Sequence, residues 1–91
     1  MKARKILAKV LAGSRNIRFD EFRVLLEAFG FSLDRVSGSH HIYYHPTVPR
    51  AFPIQSVHGK AKPYQVRQMI EMIEQYNLSL EDATNYDAED R

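Results

Sequence analysis

Ninety-one residues, 44% of them hydrophobic and including five Phe and five Tyr, make one small folded domain: too apolar for a disordered chain, too short for two cores. No apolar run approaches the roughly 18 residues of a membrane span, and the absence of cysteine excludes disulfides and thiolate metal sites and fits a reducing cytoplasm. The net charge of +2 is unevenly spread: residues 1–78 carry 12 Lys/Arg against 6 Asp/Glu, residues 79–91 five carboxylates against Arg91 alone.

The first predicted element is a helix over residues 2–12, where Ala3, Ile6, Leu7, Val10 and Leu11 form one stripe of a 3.6-residue period. Its segment, MKARKILAKVLAGSR, interleaves basic and apolar residues and lacks the separate blocks of a secretory signal. Gly13 ends it, and Asp20 is placed to cap a second helix, DEFRVLLEAFG, with Phe22, Leu25, Leu26 and Phe29 inward and Gly30 as its stop. The period then changes. FSLDRVS (31–37), HHIYYH (40–45) and AFPIQSV (51–57) read as three strands of an antiparallel meander, with Pro53 marking the last as an edge or bulged strand. Pro63 opens a third helix, PYQVRQMIEMIEQYNL, with Val66, Met69, Ile70, Ile73 and Tyr76 at helical spacing. This is an α+β domain spanning residues 1–78, its helices on one face of a three-stranded sheet. Residues 79–91 form an acidic, flexible tail. A basic body favours a polyanionic partner that the tail could modulate; the plainer reading is solubility charge and a frayed end.

Reactive groups concentrate in SGSHHIYYHP (37–46). Strand geometry argues against a metal: His40 and His41 point to opposite faces, and His41 and His45 stand roughly 13 Å apart, so only His58 could complete a pair. No orienting acid accompanies Ser39 for nucleophilic catalysis. A lone imidazole can still exchange protons near neutrality, which suits RNA cleavage, where the ribose 2′-hydroxyl supplies the nucleophile. HGKAKP (58–63) adds Lys60 and Lys62 just before the third helix, whose first amides favour an anion. Of Tyr43 and Tyr44, one ring is expected to stack on a base and one to enter the core.

Two elements together, FGFSLDRVSGSHHIYYHP and SVHGKAKPYQVRQMIEMI, resemble the HicA-type (YcfA-like) mRNA interferase toxins of bacterial type II toxin–antitoxin systems, over roughly residues 19–78. The resemblance implies a double-stranded-RNA-binding-domain-like fold, metal- and cofactor-independent endonucleolytic cleavage of mRNA, and neutralisation by a HicB-like antitoxin. It assigns the catalytic histidine to His40, with His41 as the alternative. RNA contacts are expected from Gly38, Ser39, Tyr43, Lys60 and Lys62. The helix at 2–12 precedes the family's usual start, so it either adds a surface for self-association or lies over the core. A non-catalytic RNA-binding module and an antitoxin-binding remnant are the competing functions.

Overall fold

The computed structural model describes residues 2–80; Met1 and residues 81–91, most of the expected acidic tail, lie outside the described residues. Along the chain come α1 (Ala3–Leu11), α2 (Phe19–Ala28), β1 (Ser32–Ser37), β2 (His40–Tyr44), β3 (Phe52–Val57), β4 (Lys60–Ala61) and α3 (Pro63–Gln75). The strands form one antiparallel sheet in the order β1-β2-β3-β4. The expected three-stranded meander is therefore extended by a two-residue fourth strand. Two-residue turns set both tight hairpins. Gly38, at φ 60, leads the turn between Ser37 and His40, while His58 and Gly59 both take positive φ between Val57 and Lys60. That second pattern matches the right-handed strand twist and lets the chain reverse at once.

Residue parity decides what each strand buries. Tyr43 pairs with Phe52 and His41 with Ile54, and Tyr43, Phe52 and Ile54 are buried beneath the helices. Their neighbours Tyr44 and Pro53 are exposed on the opposite, open face. Phe22, Leu25 and Leu26 of α2, Met69 and Met72 of α3, and Ile17 close the core. Pro53 has no donor to lose here, because β4 pairs only with Ser56 and Val57 and leaves the rest of that edge open. β1 is the outer edge and buries none of its residues; even Leu33, opposite the buried Tyr43, is 37% exposed, since the core gathers on β2 and β3. Asp34 is an extra residue between the Leu33 and Arg35 pairs, a bulge that breaks the regularity of an edge open to unwanted pairing.

The start of α2 differs from expectation. Arg18, not Asp20, occupies the capping position, and Asp20 lies in the first turn, where a carboxylate suits the helix dipole. The first amides are satisfied from elsewhere: Phe19 N donates to Gly59 O (2.9 Å), and the Glu21 carboxylate accepts from Arg18 N (2.9 Å) and from Lys9 Nζ (3.1 Å). That last contact ties α1 to α2. With Ala3, Ile6 and Val10 buried, α1 lies over the core.

The C-terminal end of α2 is held by the third histidine of the cluster. The N–H of Thr47 donates to His45 Nδ1 (3.1 Å), so the ring proton sits on Nε2 and is donated to Phe29 O (3.0 Å). Gly30 makes this possible: its φ is +95, and a Cβ there would come within 3.0 Å of His45 Nε2. Gly30→Ala should cost about 1–2 kcal/mol in backbone strain alone and more for displacing the ring. Gly13→Ala, at φ +86 with nothing within 4 Å of its would-be Cβ, should cost the strain only. Denaturant unfolding of both variants checks this; equal losses would remove His45 from the account.

Candidate active site

The turn and the β2–β3 register together build the site. Gly38 and Ser39 turn the chain, and His40 then begins β2 directly opposite Gln55 of β3. His40 is exposed on the open face. Ser39 Oγ accepts from Gln55 Nε2 (2.8 Å), and Gln55 Oε1 accepts from Lys62 Nζ (2.6 Å). Lys62 occupies the capping position of α3, its ammonium 5.8 Å from the centroid of the Tyr64 ring. A groove of about 460 Å³ runs between β3 and α3 at this point, its walls including His40, Arg50, Pro53, Tyr64, Gln68 and Gln75. Lys60, opposite Val57, shares the parity of Gln55 and is exposed. Among the described residues no carboxylate pairs with Lys60, Lys62 or Arg50, whereas Arg35, on the same face, is paired with Asp34.

His41 stands in a different environment. It points to the helix side, half-buried, with its ring edge-on to Phe19 (centroids 4.9 Å apart). Its Nδ1 is buried without a hydrogen-bond partner. Desolvation, with the nearby Arg23 guanidinium, holds its pKa below the ordinary imidazole value. His41 is a neutral, helix-facing ring; His40 is the exposed one. The four histidines do not converge: His45 is committed to Phe29 and Thr47, and His58 lies in the β3–β4 turn. Among the described residues no three His, Cys, Asp or Glu side chains come together in a way that could hold a metal.

Of the residues expected to contact RNA, Gly38, Ser39, Lys60 and Lys62 gather on or beside the open face. Tyr43 does not. It is 0% exposed, and its hydroxyl accepts from Arg23 Nε (2.8 Å), so it is a core ring that no base can reach. The parity of β2 gives the reason: Tyr43 shares a face with His41, Tyr44 with His40. Among the described residues, Tyr44 (43% exposed) and Tyr64 (48%) are the tyrosines exposed at the surface. Sequence reading missed Tyr64 and Gln55, although Gln55 has the parity of a residue facing a strand-initiating histidine.

His41 also gives the fold a pH dependence. Its pKa is depressed on folding, so between 6.5 and the depressed value the unfolded chain binds a proton that the folded chain refuses. The contribution is complete above pH 6.5 and is lost as pH falls through that window. In His41→Phe, the denaturant midpoint should therefore fall less than that of the wild type between about pH 7 and 5.5. Parallel curves would contradict the assignment.

Against known proteins, residues 19–78 match the family model described as HicA toxin of bacterial toxin-antitoxin. No curated protein and no solved structure matches the chain. No described helix is long and apolar enough to cross a membrane.

Proposed function

Because this chain belongs to the HicA toxin family, we propose that it is a metal-independent endoribonuclease cleaving mRNA, with His40 as its proton-transfer group. Membership makes it the toxin of a toxin–antitoxin pair, in a family generally associated with RNase activity. The observation that carries the reading is the setting of His40: an exposed imidazole lining a groove, across the ladder from the Gln55 side chain that holds Lys62, with no carboxylate paired to Lys60 or Lys62 among the described residues. An imidazole in that setting can take the 2′-hydroxyl proton or protonate the leaving 5′-oxygen. Lys62, Lys60 and the hydroxyl of Ser39 would hold the scissile phosphate, and Tyr44 or Tyr64 a neighbouring base. The attacking oxygen belongs to the RNA, so no nucleophilic side chain is required. A HicB-like antitoxin would neutralise the toxin by covering this open face, and the site of action would be the cytoplasm.

His41 is the weaker candidate, since a half-buried ring packed on Phe19 cannot approach a ribose without displacing the helix. His40→Ala should lose about 10²–10⁴-fold in RNA cleavage, while His41→Phe should stay within roughly 10-fold of wild type. A 2′-deoxy substitution at the cleaved nucleotide should block the reaction. Cleavage that survives in His40→Ala, or on the deoxy substrate, defeats the mechanism. Salt-dependent RNA binding by a wild type that never cleaves would favour a non-catalytic binding module.

A further inference from the structure

We propose that Gln55 is a positioning residue that sets Lys62 and the Ser39 turn around His40, an inference that rests on the nuclease reading of the site. The orientation of its amide follows from chemistry. Lys62 can only donate, so the Gln55 oxygen must face Nζ at 2.6 Å, and the Gln55 NH₂ must then face Ser39 Oγ at 2.8 Å. The reverse orientation would set two donors against each other.

The amide is itself held on two sides. Gln55 is the ladder partner of His40, and its backbone N–H donates to Oε1 of Gln65 (3.1 Å), a side chain only 4% exposed. Gln65 in turn lies within 3.5 Å of the Tyr64 hydroxyl, and the Tyr64 ring stands beside the Lys62 ammonium. One strand residue thus ties together the turn that delivers His40 and the α3 capping residue that delivers the cation.

The bonding also fixes which donors remain available. Ser39 Oγ accepts from Gln55, so its own O–H can be given to a phosphate oxygen. Lys62 uses one of its three N–H bonds on Gln55 and keeps two. Because the amide is neutral, Lys62 keeps its full charge while losing the freedom of a four-carbon stem. Gln55 touches neither the ribose nor the phosphate; it acts through Lys62 and Ser39.

The experiment is a double-mutant cycle between Gln55→Val and Lys62→Ala, read by RNA cleavage and, in a His40→Ala background, by affinity for a short RNA across a salt series. Valine suits a strand and removes both side-chain hydrogen bonds. Gln55→Val should lower kcat about 10-fold or more while the thermal midpoint stays close to wild type, and the double variant should lose clearly less than the sum of the two single losses, because the Lys62 arm is then already gone and only the Ser39 arm remains to lose. Gln55→Glu, whose carboxylate still accepts from Lys62 but cancels its charge, should flatten the salt slope of RNA affinity by about one unit. Additive effects, an unchanged kcat, or a loss that tracks thermal stability alone would overturn the assignment. If the wild type binds RNA without cutting it, the nuclease reading fails, and non-additivity in the binding cycle still decides whether Gln55 positions Lys62. Absence of RNA binding sinks both.

Discussion

The burial of Tyr43 is the constraint on which the site depends. With the ring inside the core and the phenol held by Arg23, β2 has one permitted parity: His41 and Tyr43 inward, His40 and Tyr44 outward. A slip of one residue would turn His40, Ile42 and Tyr44 toward the helices and Tyr43 toward solvent. The cost of burying a large aromatic ring with its hydroxyl bonded, set against leaving that hydroxyl unpaired, makes the alternative register unfavourable by several kcal/mol, about 1–3 from the unpaired group alone. Site geometry is thereby inherited from core packing. The histidine that meets solvent is chosen by a tyrosine three residues away.

Adjacent imidazoles in this chain do unrelated jobs because their surroundings differ. His40 is exposed and lines the groove between β3 and α3. His41 has Phe19 against its ring and an unpaired Nδ1. His45 is a bonding element that closes the end of α2, with one nitrogen donating and the other accepting. The density of histidine in SGSHHIYYHP therefore overstates the chemistry on offer. One ring meets solvent, and another serves the fold at the place where Gly30 lets the backbone come close.

Much of this was legible from residue order. The three helices and the three-stranded meander follow from periodicity and from Gly and Pro. Four features were not legible, each for a physical reason. β4 spans two residues, too short for an alternation to show, and it exists because the His58–Gly59 turn reverses at once. The start of α2 was misplaced because Asp20 is a good cap in isolation, whereas the real partner of the first amide is Gly59 O, forty residues away in sequence. Tyr43 was assigned to RNA because strand alternation separates Tyr43 from Tyr44 without saying which faces the core; only packing against Phe52 and Arg23 settles that. Gln55 is missed because its bonds to Ser39 and Lys62 depend on a register across two hairpins, which residue order alone does not show.

A neutral amide is a better tether for Lys62 than a carboxylate would be. Asp or Glu at position 55 would bind the ammonium more tightly, since two unit charges 4 Å apart attract by about 4 kcal/mol at the effective dielectric of a protein surface. The same attraction would oppose the approach of a phosphate, because the lysine would already be neutralised. Glutamine bonds the ammonium through an uncharged oxygen and would leave its charge available to a phosphate. Its second arm reaches the Ser39 hydroxyl, so cation, hydroxyl and imidazole are linked through a strand ladder rather than through flexible loops. On the proposed nuclease reading, such preorganisation would be the source of rate in a domain of this size: groups already in place would not need to be ordered when a substrate arrives.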